Sequence, residues 1–316
     1  MEKLAVIALG GNAITRSSQR GTIEEQEINV RDTLKNIIPL IREGYKLVIT
    51  HGNGPQVGNI LMRNDAGEQV YSITQMPLDI CVADSQGGIG YLIERVLRNL
   101  LKEEGIDKDI LTLVTQVLVD KNDPAFANPT KRVGKSYTLE EAKYLQKTKN
   151  WTFKETPKHP GFFRRVVPSP TPISIYNRES IRNLALHGAI IIAVGGGGIP
   201  IFQDEKGKLH GIEAVIDKDR ASSLLAQKIN ADELYILTDV PYIYLDYNKP
   251  TQRIAEFLSL KEAKKYLDEG QFGEGSMAPK IKAAIDFIEN GGEKTIITEA
   301  TKLEDKRFGS KITKFK

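Results

Sequence analysis

The chain has 316 residues, 40% of them hydrophobic and 27% charged, with a net charge of only +3. This is the composition of a soluble globular chain with room for one large or two ordinary domains, and its charge balance alone gives no argument for nucleic acid. One cysteine, Cys81, excludes an intramolecular disulfide and a thiolate metal cluster, and no apolar run approaches the roughly 20 residues of a membrane helix. The opening run Met1–Leu9 is too short for a signal peptide, so a cytoplasmic chain is expected.

In chain order, Lys3–Leu9 reads as a buried strand leading into Gly10-Gly11-Asn12-Ala13. Thr22 and Glu25 form a capping-box pair ahead of a helix whose Val30, Leu34, Ile37 and Ile41 share one face, with Gly44 as its stop. Tyr45–Thr50 is a second strand, ending in His51-Gly52-Asn53-Gly54, and Pro55 suits the first turn of the helix that follows. A longer helix is predicted over Asp84–Gly105, then a third strand over Asp109–Val119. Lys121–Pro172 differs in character: it holds seven of the fourteen prolines, and eleven Lys/Arg against four Asp/Glu. It reads as an inserted subdomain, hairpin-bearing, with a helix near Leu139–Lys147.

After a helix at Asn177–His187 comes the apolar run Ala189–Val194, which ends in Gly195-Gly196-Gly197-Gly198. A run of this kind is a strand buried on both faces. A polar hairpin (Phe202–Gly211) precedes Glu213-Ala214-Val215-Ile216-Asp217-Lys218-Asp219 and a helix over Arg220–Asn230. Glu233–Thr238 is a strand, Ser259 and Glu262 cap another helix, Pro279-Lys280 opens a further one, and Thr295–Thr298 is a last strand. Strand, glycine turn and helix in repetition predict an α/β fold, an open and mainly parallel sheet with helices on both faces.

Three strands thus end in glycine clusters, and in open α/β sheets ligands sit at the carboxyl ends of strands. None of the clusters is a Walker A loop or a Rossmann fingerprint. Each alone is compatible with a flexible turn; together they favour an anion held by backbone N–H groups. Lys218 and Lys280 lie at helix N-termini, where a cation opposes the helix dipole. A bound polyphosphate removes that conflict, although lysines pointing into water would also fit. Asp217 and Asp219 can cap a helix, hold the lysines, or help carry Mg²⁺ through water. His51 is a weak candidate base, and the histidines lack zinc-ligand spacing. The basic, aromatic insert fits a lid over an anionic site better than an RNA surface.

Gly10–Ile14, His51–Gly58, Gln86–Tyr91, Gly195–Pro200, Glu213–Asp219, Leu237–Val240 and Gly275–Lys280 together, in this order, resemble the amino-acid kinase family, most closely its carbamate kinases. The insert also falls where those proteins carry a protruding subdomain, whereas other members have lysine where Asn12 stands. The resemblance implies a three-layer fold, an acceptor lobe over residues 1–212 that carries the subdomain at 121–172, and a nucleotide lobe over 213–316. It implies reversible phosphoryl transfer between ATP and carbamate, Mg²⁺, a homodimer, and neither nucleic acid nor membrane as partner. Lys131, Lys218, Asp219 and Lys280 would be catalytic. Gly10, Gly11, Asn12, Gly52, Asn53, Gly54, Gly196 and Gly197 would surround the acceptor and the moving phosphoryl group. Asp217, Thr238, Asp239, Tyr244, Met277 and Pro279 would lie on the nucleotide side, with no direct protein ligand to the metal. Another acid kinase of the family, or a non-catalytic nucleotide- or RNA-binding protein on the same fold, are the alternatives.

Overall fold

The computed structural model describes residues 2–16, 18–156, 159–303 and 308–315. The first strand, β1 (Leu4–Leu9), is buried at every position. Helices α1 (Ile23–Lys35) and α2 (Ile38–Arg42) lead to β2 (Lys46–His51), and α3 (Gly54–Tyr71) and α4 (Leu78–Glu103) lead to β3 (Ile110–Thr112) and β4 (Gln116–Val119). The inserted region contains α5 (Pro124–Ala127), β5 (Lys131–Tyr137), α6 (Leu139–Lys149), β6 (Thr152–Thr156) and β7 (His159–Val167). Then come β8 (Pro172–Ile175), α7 (Arg178–Leu186), β9 (Ile190–Ile192), β10 (Ile199–Gln203), β11 (Leu209–Gly211) and α8 (Lys218–Lys228). The remainder comprises β12 (Glu233–Thr238), β13 (Ile243–Leu245), β14 (Arg253–Ala255), β15 (Phe257–Ser259), α9 (Leu260–Asp268), α10 (Met277–Glu289), β16 (Lys294–Glu299) and β17 (Ser310–Thr313).

Eight strands form one sheet in the order β15-β17-β16-β12-β1-β2-β9-β3. Its pairings are parallel except that of β16 with β17. Alternate side chains of β1 enter two cores. Leu4 and Val6 pack with residues of α7, α8 and α10, and Ala5, Ile7 and Leu9 with residues of α1, α2 and α4. Two helical layers therefore enclose the sheet, as its near-continuous apolar strands require. A four-stranded sheet, β11-β10-β4-β8, adjoins it, and the insert is a separate antiparallel sheet, β5-β7-β6, with α6 against it.

Several boundaries differ from expectation. The strand expected over Asp109–Val119 is two strands in two sheets. Thr115 breaks it: its N–H donates to Gln86 Oε1 and its Oγ1 accepts from the Val194 N–H. The helix expected from Asp84 begins at Leu78, and that expected from Arg220 begins at Lys218, capped by Asp217. The first helix breaks after Lys35 and resumes at Ile38. Thr295–Thr298 lies within β16, which β17 follows, so it is not the last strand. The capping boxes at Thr22 and Ser259 are formed, and Gly44 and Gly270 both take the left-handed conformation just past helix ends. Among the described residues no helix is long and apolar enough to cross a membrane.

Candidate active site

Because β1, β2, β9 and β12 run parallel, their carboxyl ends share one edge, and the three glycine clusters meet there. A cleft of about 280 Å³ opens at this edge, with Gly11, Gly52, Asn53, Gly54 and Gly196 in its walls. Lys131 and Arg132 reach it from the insert, Asp217, Lys218 and Asp219 from the start of α8, and Pro279 and Lys280 from α10. Residues that lie more than two hundred apart in the chain thus share one small cavity.

Its electrostatics are organised by two aspartates. Asp219, with its side chain 5% exposed, lies 2.7 Å from the Lys218 ammonium and accepts a 2.9 Å hydrogen bond from Lys280 Nζ. Burial pushes this carboxyl up, but the two lysine charges outweigh it and hold the group well below the usual carboxylate range. It is therefore ionised throughout the physiological range. Asp217 caps α8 by accepting from the Asp219 and Arg220 N–H groups, and its other oxygen faces Lys131 Nζ at 3.4 Å. Four cationic side chains against two carboxylates leave the cleft electropositive.

Helix ends add to this. Lys218 is the first residue of α8 and Lys280 the fourth of α10, both at the positive end of a helix. The N-caps of α3 and α10, Asn53 and Ser276, make no side-chain capping bond; in α10 the Ala278 N–H donates to the Gly273 oxygen and Pro279 has none, and Pro55 likewise has none in α3, so only part of each first turn can face the cleft. Such a concentration of positive potential is unfavourable unless an anion occupies it.

The glycines divide into two kinds. A Cβ on Gly10 would lie 2.7 Å from the Leu237 oxygen, one on Gly196 2.2 Å from Asn53 Nδ2, and one on Gly197 2.5 Å from the Ile216 oxygen. Those residues are glycine because the protein packs against them. Gly11, Gly54 and Gly275 line the cleft with nothing within 4 Å of such a Cβ, and none has a left-handed φ. Neither packing nor backbone conformation calls for glycine there, which fits a bound group that closes on the backbone. Just before the four-glycine tract, Val194 has φ 54°, a strained choice for a β-branched residue, and Gln86 ties the turn by donating to the Gly195 oxygen at 2.9 Å.

Other candidates lie outside the cleft. Asn12 is exposed on the short turn after β1, and Gly10 and Gly197 serve packing. Thr238 and Asp239 sit at the end of β12 on the same sheet edge, Tyr244 lies on β13 against Tyr247, and Met277 packs partly on the core. His51 is wholly buried, with Nδ1 2.9 Å from the Gly52 oxygen; burial pushes it down to about 4. Its burial and this contact fit a structural hydrogen bond. Arg132, Gly275 and Ser276 line the cleft although no role was expected of them. The basic excess of the insert was the available signal for Arg132, and the run up to Lys280 for the other two.

No group of three or more His, Cys, Asp and Glu side chains among the described residues could hold a metal ion. Both cleft aspartates are committed to lysines and helix amides, so the residues present do not fit a protein-held metal.

Comparison with known proteins agrees with this geometry. Residues 3–299 match the model of the Amino acid kinase family. Carbamate kinase of Pyrococcus horikoshii is 48% identical over 99% of this chain and 100% of its own length, and that of Thermococcus kodakarensis 50% identical over 93% of each. The structure of carbamate kinase from Giardia lamblia bound to AMP-PNP superposes with a TM-score of 0.92 at 40% identity, covering 99% of this chain and 98% of that one. The chain belongs to the amino acid kinase family, in its carbamate kinase branch.

Proposed function

We propose that the chain transfers a phosphoryl group reversibly between ATP and carbamate, giving ADP and carbamoyl phosphate. The observation that carries this reading is the convergence of Lys131, Lys218 and Lys280 on one cleft, held by Asp217 and Asp219 beside two uncapped helix N-termini. Carbamate is already an anion, so its oxygen attacks the γ-phosphorus without surrendering a proton. The step therefore needs no base, and His51 is buried with its Nδ1 against the Gly52 oxygen. What the step requires is in-line alignment and neutralisation of charge spreading over the transferring oxygens. Lys218 and Lys280 lie on opposite oxygens of Asp219 and supply two fixed positive charges, while Lys131 approaches from the insert. Backbone N–H groups at Gly11 and Gly54 supply neutral donors, while that of Gly52 donates to the Leu9 oxygen.

In this scheme residues 1–212 form the acceptor lobe and 213–316 the nucleotide lobe, with Thr238, Asp239, Tyr244 and Met277 toward the nucleotide base and sugar. Magnesium enters with the nucleotide as part of the substrate, held by phosphate oxygens and water. The protein acts in the cytoplasm and as a homodimer; exposed Ile23, Ile73 and Tyr91 around a groove of about 690 Å³ support the second of these. The deciding assay follows ATP formation from ADP with carbamoyl phosphate or acetyl phosphate as donor. Faster turnover with carbamoyl phosphate is expected; equal rates, or tight nucleotide binding with no turnover, would overturn the reading.

A further inference from the structure

Between the insert and the cleft lies a second ion pair that takes no part in the scheme above. Arg165, on β7, is 6% exposed, and its Nη2 donates to Glu213 Oε2 at 2.7 Å. The other face of its guanidinium lies over the ring of Trp151, 4.1 Å from the ring centroid. Glu213 is half exposed, and its Oε1 accepts from the Leu78 N–H at 3.4 Å.

The register gives this pair its meaning. On the insert, β5 and β7 pair Val133 with Arg165 and Lys131 with Val167. Opposite them, the extended segment from Glu213 to Asp217 runs past in step. Arg165 grips Glu213, the Pro168 oxygen accepts from the Val215 N–H at 3.0 Å, and Lys131 meets Asp217 at 3.4 Å. Asp217 is the cap of α8, whose first two residues are Lys218 and Asp219. The insert is thus tied at three successive points to the segment that carries the C-terminal half of the cleft, and the outermost tie is the shortest of the three.

We infer that Arg165 and Glu213 are positioning residues for phosphoryl transfer, a latch that sets Lys131 over the cleft opposite Lys218 and Lys280. This deepens the reading above and rests on it, since it gives Lys131 a catalytic part. Removing Glu213 leaves a buried guanidinium without its counter-ion, and a buried charge so exposed to loss of its partner moves toward water. In the latch that movement draws β7 outward, and β5, paired with it, carries Lys131 along.

The test is a double-mutant cycle of Glu213→Ala with Lys131→Ala, reading kcat and KM separately, with thermal unfolding and circular dichroism as checks on the fold and Trp151 emission as a reporter of Arg165. Glu213→Ala alone is expected to lower kcat by about tenfold with the nucleotide KM little changed, and to lower the melting temperature because Arg165 loses its partner, while the variant stays folded at the assay temperature. Glu213→Gln, which keeps an acceptor for Arg165, should recover part of the loss. In the Lys131→Ala background the further loss from Glu213→Ala should nearly vanish, because the two act through one group. Multiplicative losses, or an undiminished kcat in Glu213→Ala while Lys131→Ala is impaired, overturn the latch and leave the proposed function standing. Near-parental turnover in Lys131→Ala itself overturns the part given to Lys131, and the latch with it.

Discussion

One buried carboxylate, Asp219, orders two lysines that come from different helices, and that economy makes single substitutions informative. Lys218→Ala and Lys280→Ala each remove a charge from the position where negative charge develops, so each should lower turnover by about a hundredfold or more with the fold retained. Steady-state kinetics alongside circular dichroism checks this, and near-normal turnover in either variant refutes the assignment. Asp219→Asn leaves two mostly buried ammonium groups without their shared counter-charge, so it should lower both turnover and melting temperature. His51 links stability to pH. Its folded pKa of about 4 lies below the unfolded value near 6.5, so between those values the unfolded chain holds the proton that the folded chain rejects. Stability should therefore decline as pH falls from 6.5 to 4, by about 3 kcal/mol from this group. Denaturant titrations at a few pH values across that window measure the slope, which a His51→Asn variant should lack. Glu233 contributes separately: burial raises its carboxyl, but hydrogen bonds from Tyr235, Lys3 and Lys294 outweigh that and hold it at about 2. Its stabilisation is present above about pH 4.5 and fades only as pH falls toward 2.

At the scale of elements, the glycine turns separate two demands that look alike in a sequence. Gly11→Ala meets no obstruction and should fold with an unchanged melting temperature while raising the KM for the acceptor or lowering kcat. Gly197→Ala places a Cβ against the Ile216 carbonyl at a φ of 92°, so it should destabilise the fold by roughly 2 kcal/mol or more. Comparative melting curves and kinetics of the two variants test the distinction; equal effects on stability would remove it. Elements with long local signals were legible: the capped helices, the apolar strands at Leu4–Leu9 and Glu233–Thr238, and the lysines next to helix starts. The three-residue strands β13, β14 and β15 were not, because so few residues carry no periodicity. Nor could an apolar run reveal that β3 and β4 belong to different sheets, since the break at Thr115 depends on partners at Gln86 and Val194. Arg165 and Glu213 lie 48 residues apart with no motif to join them, so their pairing is visible only in three dimensions.

For the whole molecule, the decisive feature is that β1 lies inside the large sheet, between β2 and β12. Two regions assigned different duties are therefore one hydrogen-bonded body, with β1 in register against β12 from Ala5 to Ala8. A chain ended after Ile212 keeps β2 but loses β12, which leaves a fully apolar strand with one naked edge. Such a fragment should be recovered in the insoluble fraction, and co-expression with residues 213–316 should return soluble protein; a monodisperse, folded 1–212 fragment would contradict this. The same arrangement sets a timetable for biosynthesis. Leu4–Leu9 is made well before its second neighbour, which is not complete until Thr238. At about 5–20 residues per second, the nascent chain carries an unsatisfied strand edge for roughly 10–45 s. Over that interval chaperone occupancy, and not the stability of the finished sheet, would govern how much of the protein is saved from aggregation.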